Sequence, residues 1–171
     1  PWYLFTEYHW PPLLEKSQSQ NFKQLLPELN EWTHQYHQAI KYFSQDKVIS
    51  HGDLFPANMI WNDNLNYRII DWDSAGWIHP EIELFGVALN WAGIVEQDFN
   101  SEIFASVYAG YECVTQKKFK PNEQLIWASL GSWLKWLKLN IELSLKTSQA
   151  RFEDEVKRTL KALYFLTSPF L

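Results

Sequence analysis

Three oxygen-bearing side chains, Asp53, Asn58 and Asp71, lie around a pattern that predicts a β-hairpin. Short apolar runs at 58–61 and 67–71 flank a turn rich in Asp and Asn, and a four-residue loop there sets Asn58 opposite Asp71. Opposed residues of antiparallel strands have Cβ atoms about 4.5–5.5 Å apart, so the carboxamide and carboxylate oxygens should converge. Two hard oxygen ligands suit Mg²⁺, which usually binds through one or two carboxylates together with substrate phosphates. We therefore expect a magnesium site at Asn58 and Asp71, with Asp53 beside the metal but not bound to it.

The elements that would position these residues are mainly helical. Apolar side chains recur at spacings of three and four over 27–43, which predicts an amphipathic helix there. The same periodicity predicts further helices at about 80–94, 100–114, 121–145 and 151–166. A short strand is expected at 2–8. The predicted fold class is α+β, mainly α-helical, with no linker long enough to mark a second domain.

Length and composition are those of a single globular unit: 171 residues, 46% hydrophobic and 20% charged, with a net charge of -5. The longest apolar stretch, 84–95, is interrupted by Asn90 and is shorter than the ~18 residues that a membrane span needs. Cys113 is the only cysteine, and no secretory leader is visible, so we expect a cytoplasmic protein that does not associate with membranes. Because the chain opens without Met inside an apolar run, we also expect a fragment.

The middle of the chain is acidic. Between Arg68 and Lys117 there is no Lys or Arg, while eight carboxylates occur. Nucleic-acid binding needs a basic stripe or patch, so we expect no nucleic-acid partner. Two interpretations of the acidic block remain open, a solvated surface or a field that attracts metal ions or a cationic substrate.

Aromatic residues are abundant, with 10 Trp, 8 Tyr and 11 Phe. Most lie on helical stripes and are expected in the core, including Trp32, Tyr36, Phe43 and Trp133. Stacking of Trp127, Trp133 and Trp136 on a sugar or a cation is the alternative. Contact with a ligand or with another lobe is expected of Trp2, Tyr3, Tyr8, Trp72 and Trp77.

Two segments carry a family resemblance, His51-Gly52-Asp53-Leu54-Phe55-Pro56-Ala57-Asn58 and Ile69-Ile70-Asp71-Trp72-Asp73-Ser74-Ala75-Gly76. In order and separation they resemble the signature of the aminoglycoside phosphotransferase and choline kinase superfamily. The resemblance implies a protein-kinase-like C-terminal lobe with a short catalytic β-hairpin. It implies Asp53 as the catalytic base, and Asn58 and Asp71 as Mg²⁺ ligands, as in the protein-kinase catalytic loop. His51 would be the structural histidine of the loop, and Asp73 a supporting carboxylate.

The stretch 76–84 is similar to the family's segment after the metal aspartate, where a proline opens a helix and an acidic residue precedes a leucine. Many members carry Asp at the position of Glu83. We expect Trp77, Glu81 and Glu83 to contact the substrate.

Family members also have an N-terminal lobe with a phosphate-covering loop and a lysine that binds the nucleotide phosphates. No glycine-rich phosphate loop can be found in this sequence. The resemblance therefore implies that 1–171 is a single C-terminal lobe, with a hinge strand at 1–10 and the N-terminal nucleotide lobe absent. In relatives the backbone of that strand meets the adenine, which makes Glu7, Tyr8 and His9 the expected cofactor-binding residues.

The resemblance implies a lobe of an ATP-dependent phosphotransferase that uses Mg²⁺ and acts on a hydroxyl of a small, cationic molecule similar to an aminoglycoside, choline or thiamine. Its expected partners are that small-molecule substrate and the missing N-terminal lobe or its equivalent. The alternative is a truncated, non-catalytic binding or assembly module derived from the same fold. A third interpretation is a metal-dependent hydrolase that uses the same oxygen ligands.

Overall fold

The computed structural model describes residues 4–5, 10–15, 23–62, 66–147 and 149–168. Its helices are α1 (Pro11–Glu15), α2 (Leu26–Ala39), α3 (Pro80–Trp91), α4 (Ser101–Thr115), α5 (Glu123–Thr147) and α6 (Ala150–Leu166). Its strands are β1 (Val48–Ser50), β2 (Met59–Trp61), β3 (Tyr67–Ile69) and β4 (Gly76–Ile78). Short 3₁₀ turns lie at Ile40–Phe43, Pro56–Asn58 and Trp72–Ser74. The predicted fold class, α+β and mainly helical, is confirmed.

The core is organised around the long helix α5, which packs against α2, α3 and α6. Its apolar side chains recur at helical spacing, and Leu130, Leu134, Leu137 and Ile141 are fully buried. Burying such a stripe supplies most of the stability of an amphipathic helix, because the intrinsic helix propensity is small. The helices therefore form the core, and the start of α3 contacts the strand β1 that precedes the loop of Asp53.

The described N-terminal residues are fixed to α2 by two buried hydrogen bonds. The Phe5 amide donates to the Tyr36 hydroxyl at 2.9 Å, and the Trp10 indole Nε1 donates to Thr33 Oγ1 at 2.9 Å. The rings of Phe5 and Trp10 stack with their centroids 5.8 Å apart. The Pro pair after Trp10 begins helix α1, in keeping with the tolerance of a first helical turn for proline. Of the strand expected at 2–8, only residues 4 and 5 are described, and they belong to no strand.

The helix predictions agree with the structure to within three residues at each end. The predicted helix 27–43 appears as α2 followed by one 3₁₀ turn, and 80–94 ends earlier, at Trp91. Capping accounts for two of the starts: Asn100 Oδ1 accepts from the amides of Glu102 and Ile103, and His79 Nδ1 accepts from the Glu81 amide. In the described part of the chain, no helix is both long and apolar enough to span a bilayer.

The strands form two separate antiparallel pairs rather than one sheet. Strand β1 pairs with β4, placing Ile49 opposite Trp77, a pairing that the sequence analysis did not predict. Strand β2 pairs with β3 as the predicted hairpin, with Ile60 opposite Arg68. Both pairs contribute residues to the loops around Asp53.

The predicted hairpin register is wrong by one residue. A four-residue loop would have placed Asn58 opposite Asp71, but the Asn62 amide donates to the Asn66 carbonyl at 3.0 Å, which closes a shorter loop. As a result the Ile70 amide donates to the Asn58 carbonyl at 3.0 Å, so Ile70 stands opposite Asn58. Register depends on loop length, and a shift of one residue turns each side chain to the other face of the strand.

Candidate active site

The loop after β1 is anchored by the buried side chain of His51. Its Nδ1 accepts from the Asp53 amide at 3.3 Å, so Nε2 carries the proton and donates to the Ile70 carbonyl at 2.8 Å. The Trp72 ring contacts the imidazole edge to face, with centroids 4.7 Å apart. His51 thus joins the loop of Asp53 to the end of β3.

Gly52 allows the same loop to pass close to two other elements. Its φ is +77°, a left-handed conformation that glycine adopts without steric cost, and a Cβ at this position would lie 2.4 Å from the Ser74 carbonyl oxygen. Its amide donates to Glu83 Oε1 at 3.0 Å, on the first turn of α3. The loop is therefore held between the turn that follows Asp71 and the start of α3.

Asn58 is oriented by Asp53. Its Nδ2 donates to the Asp53 carbonyl at 2.9 Å and lies 3.4 Å from Asp53 Oδ2. The 3₁₀ turn Pro56–Asn58 places the carboxamide there, immediately before β2 begins. With Nδ2 used in these contacts, the acceptor that the carboxamide presents is Oδ1.

Asp71 reaches the same region by a route that the sequence analysis did not foresee. It follows β3 in a left-handed conformation, with φ 62° and ψ 60°, which Asp tolerates better than most residues. The chain turns there, and the Asp71 carboxylate lies close enough to Asp53 to affect its ionisation electrostatically. The left-handed turn therefore brings together two carboxylates, although the strand pairing itself does not.

Two carboxyl groups of the site have raised pKa values. Partial burial raises the pKa of Asp53; the negative charge of Asp71 acts in the same direction, whereas His51 and Asn58 oppose it. Burial also raises the pKa of Glu83, although its hydrogen bonds from the Gly52 amide and the Ser50 side chain favour the ionised form. Perturbed carboxyl groups that border one cavity are typical of functional sites.

A cavity of about 360 Å³ lies beside Asp53, a volume in the range of small-molecule sites. The loop 52–55 forms one wall, and helices α3, α5 and α6 form the others. Helix α5 contributes Trp133 and Trp136, and α6 contributes Glu155 and Arg158. The cavity thus joins a carboxylate to two indole rings and a pair of opposite charges.

The residues expected to contact substrate are dispersed. Glu83 lines the cavity, but its Oε1 is engaged by the Gly52 amide. Glu81 lies in the first turn of α3, and the exposed Trp77 lies on β4 opposite Ile49; neither is among the described residues that line the cavity. Asp73 is exposed in the 3₁₀ turn after Asp71. The expected nucleotide-contacting residues, Glu7, Tyr8 and His9, lie outside the described residues.

Sequence reasoning missed most of the cavity wall. Trp133 was expected in the core, but it is only half-buried. Both Trp133 and Trp136 line the cavity. The expectation is confirmed for Trp32, Tyr36 and Phe43, which are buried. Glu155 and Arg158 resemble any ion pair on an amphipathic helix, so no pattern distinguishes them in advance. The helical spacing of Trp133 and Trp136, three residues apart, was the only available signal.

Asn58 and Asp71 are the donors available for a divalent cation. No group of three His, Cys, Asp or Glu side chains that could hold a metal ion occurs among the described residues. Mg²⁺ does not require one, because it keeps several waters and binds through one or two protein oxygens plus phosphates. The donor chemistry therefore fits Mg²⁺, and a cation would offset the repulsion between Asp53 and Asp71 that contributes to the raised pKa.

The acidic middle of the chain does not line the cavity as a block. Of its eight carboxylates, Glu83 is the only one among the described cavity-lining residues. Glu96, Asp98 and Glu102 are exposed to solvent. These three lie away from the described cavity lining.

Comparisons with known proteins place these features in context. The model of a phosphotransferase enzyme family matches residues 2–115. An ethanolamine kinase of Plasmodium vivax has a similar structure, with a TM-score of 0.59 and 16% identity over 92% of this chain and 46% of that one. The structure of a spectinomycin phosphotransferase in complex with ADP and spectinomycin gives a TM-score of 0.57 and 15% identity over 98% of this chain and 48% of that one. This chain spans about half the length of both structures. Comparison with curated protein sequences gives no significant match.

Proposed function

The chain belongs to the phosphotransferase enzyme family, and from that premise we propose that it is the acceptor-binding and catalytic part of an ATP-dependent kinase. It would transfer the γ-phosphoryl group to a hydroxyl of a small, ammonium-bearing molecule. One observation carries the proposal: Asp53 borders the cavity and also contacts Asn58 and interacts with Asp71. A base that borders an acceptor cavity and lies near two oxygen ligands is the arrangement that phosphoryl transfer needs.

In this proposal Asp53 accepts the proton of the acceptor hydroxyl. Hydrogen bonds with His51 and Asn58 fix the backbone of Asp53, and Asn58 Nδ2 also contacts its carboxylate at 3.4 Å. Partial burial, the largest cause of its raised pKa, brings its basicity closer to the operating pH, where general-base catalysis is most efficient. Positioning of this kind matters more than covalent chemistry in phosphoryl transfer.

Asn58 and Asp71 would hold Mg²⁺ through Oδ1 and a carboxylate oxygen. When bound, the ion would neutralise the charge on the nucleotide phosphates as they react. Asp73, two residues after Asp71, would add negative charge to this region without lining the cavity.

The acceptor chemistry is suggested by the cavity wall. Trp133 and Trp136 offer indole faces, and Glu155 offers a carboxylate; both features favour an ammonium group. The neighbouring structures are consistent with this, since one is named as an ethanolamine kinase and the other binds ADP and spectinomycin. Transfer to the acceptor requires the nucleotide to be held as well, and the residues expected to do so, 7–9, belong to the expected hinge.

The test is transfer of labelled γ-phosphate from Mg-ATP to a panel of amino alcohols, aminoglycosides, choline and thiamine. The protein that contains this chain would be compared with its Asp53→Asn variant. We expect the substitution to lower kcat by about 100-fold or more, because a general base contributes roughly 10²–10⁴-fold. Asp98→Asn is the matched control, since Asp98 is exposed and lies outside the cavity lining. Full activity of the Asp53→Asn variant would show that Asp53 is not the base.

Two other outcomes would identify the alternative functions. Release of phosphate from ATP without any acceptor would favour the metal-dependent hydrolase. Binding or assembly without transfer to any acceptor, in a protein whose circular dichroism shows it to be folded, would favour the non-catalytic module.

A further inference from the structure

Few charged side chains are available to an acceptor inside the cavity. Among the described residues that line it, the charged ones are Asp53, Glu83, Glu155 and Arg158. Glu83 is engaged by the Gly52 amide at 3.0 Å, and the proposed function assigns Asp53 to the acceptor hydroxyl. The charges left to recognise the rest of the acceptor are therefore Glu155 and Arg158, one of each sign.

These two side chains form an ion pair on one face of α6. Arg158 Nη1 lies 3.3 Å from Glu155 Oε1, one helical turn away, and both residues line the cavity. The Glu155 side chain is 33% exposed and that of Arg158 is 56% exposed, so the carboxylate is the more deeply placed of the two. A charged group that enters the cavity meets both charges and must be compatible with both.

This pairing discriminates among acceptor classes. A simple ammonium bound by Glu155 would add a second positive charge beside Arg158 and would compete for the same carboxylate. A molecule with several ammonium groups would increase that repulsion, because the other two carboxylates of the described lining, Asp53 and Glu83, are assigned to the hydroxyl and to the Gly52 amide. A molecule with one ammonium and one carboxylate gives each charge an opposite partner, and arginine binds carboxylates well through two parallel N–H donors.

The rest of the cavity suits a compact carbon skeleton. Trp133 and Trp136 on α5, together with Ile82 and Val87 on α3, provide apolar surface. The volume, about 360 Å³, is near the lower end of the range for ligand pockets. A compact acceptor therefore matches this volume.

We propose that the acceptor is a small hydroxylated zwitterion of the amino-acid type. Glu155 binds its ammonium group, Arg158 binds its carboxylate, and its hydroxyl lies at Asp53. This inference rests on the proposed function, because that function supplies the position of the hydroxyl, and it narrows the ammonium-bearing acceptors to one class.

The test compares molecules that differ by one charged group. L-serine and L-homoserine carry both groups; ethanolamine and 3-aminopropan-1-ol lack the carboxylate; 3-hydroxypropanoate and 4-hydroxybutanoate lack the ammonium. Binding to the protein would be measured by isothermal titration calorimetry and by chemical-shift changes, at one ionic strength and without nucleotide. We expect at least one of the two amino acids to bind roughly tenfold more tightly than both the amino alcohol and the hydroxy acid with the same carbon skeleton, since a hydrogen bond to a charged group is worth about that factor.

Two substitutions assign the two charges. Arg158→Gln should abolish the advantage of the amino acid over the amino alcohol, and Glu155→Gln should abolish its advantage over the hydroxy acid. Lys157→Gln is the matched control, because Lys157 forms a similar pair with Asp154 at 3.3 Å on the same helix but does not line the cavity. Circular dichroism melting curves establish that each variant is folded.

Equal or weaker binding of both amino acids relative to the amino alcohols would overturn the proposal, and so would the absence of binding by all six probes. Affinities that Arg158→Gln leaves unchanged would overturn it too. Phosphoryl transfer to another hydroxyl acceptor, in a protein that binds none of the probes, would refute this inference and leave the proposed function intact. Amino-acid binding that depends on Glu155 and Arg158 in a protein without transfer activity would refute only the proposed function.

Discussion

Replacing Gly52 with alanine should destabilise the fold by about 1–4.5 kcal/mol. The left-handed conformation of this residue, with φ +77°, costs a residue with a Cβ roughly 1–2 kcal/mol. The new Cβ would also lie 2.4 Å from the Ser74 carbonyl oxygen, closer than real contacts, so the backbone of one loop must move. Overpacking of this kind costs about 1–3 kcal/mol, and the lower entropy of the unfolded alanine variant offsets only about 0.4–1 kcal/mol.

The free energy of unfolding would be measured by urea titration followed by circular dichroism, with the m-value checked for a change in unfolding behaviour. Gly110→Ala is the matched control, because Gly110 lies within α4 and a Cβ there would meet no atom within 4 Å. The control should stabilise the protein by about 0.5–1 kcal/mol, through the higher helix propensity of alanine. The two substitutions make the same chemical change, so their opposite signs isolate the local geometry.

Gly52→Ala should also lower phosphotransferase activity in the fraction of the protein that remains folded. Gly52 precedes Asp53, and the carbonyl that the new methyl group would displace belongs to the turn after Asp71. A shift of about 1 Å between reacting groups can cost roughly 100-fold in rate. A Gly52→Ala variant within 0.5 kcal/mol of the parent, with unchanged kcat, would refute the close packing of these two loops.

Two further substitutions test the supports of the site and of the core. For Glu83→Gln, we expect the variant to gain stability relative to the parent as the pH rises from about 4.5, the ordinary pKa of Glu, through the raised pKa of folded Glu83. The folded parent binds the proton of Glu83 more tightly than its unfolded chain does, so this residue costs the parent stability over that pH interval and the variant escapes the cost. Urea titrations of both proteins between pH 4 and pH 8 measure the difference in their free energies of unfolding. A stability advantage of the variant that shrinks with pH would contradict the buried position of Glu83. Tyr36→Phe removes the hydroxyl that accepts from the Phe5 amide at 2.9 Å, and should cost about 1–3 kcal/mol by leaving a buried donor without this partner. Thermal melting would measure that cost, and no change would indicate that the segment around Phe5 is not docked on α2.

Local patterns were sufficient to predict helices α2 to α6, although not the short α1, and the segment that carries the candidate catalytic residues. Helices α2 to α6 follow an apolar spacing of three and four, and each was predicted to within three residues at its ends when the 3₁₀ turn Ile40–Phe43 is counted with α2. Asp53 and Asn58 are five residues apart on one loop, so their contact is local and could be expected from the chain itself. The roles of these residues as base and metal ligand remain predictions until Asp53→Asn is assayed.

The hairpin was predicted correctly as an element, but its register was predicted wrongly. Loop length was judged from residue types, and the real closure at Asn62 and Asn66 moved the pairing by one position. The shifted register leaves Asp71 no longer opposite Asn58. Its left-handed conformation nevertheless brings the carboxylate near Asp53. Neither the loop closure nor the backbone angle has a distinct signature in the side chains.

Candidate chemical residues and the local elements that carry them can be predicted from the chain alone, because hydrophobic periodicity and turn chemistry act over a few residues. The surroundings of Asp53 depend instead on the packing of distant helices. The cavity joins loop 52–55 to helices more than seventy residues away, and it turns Trp133 from an expected core residue into a wall of the candidate acceptor site. The cavity is also lined by the ion pair of Glu155 and Arg158, whereas the similar pair of Asp154 and Lys157 on the same helix lies outside the described lining. Such contacts depend on how helices pack across the whole core, and helical spacing fixes which face is apolar but not what that face meets.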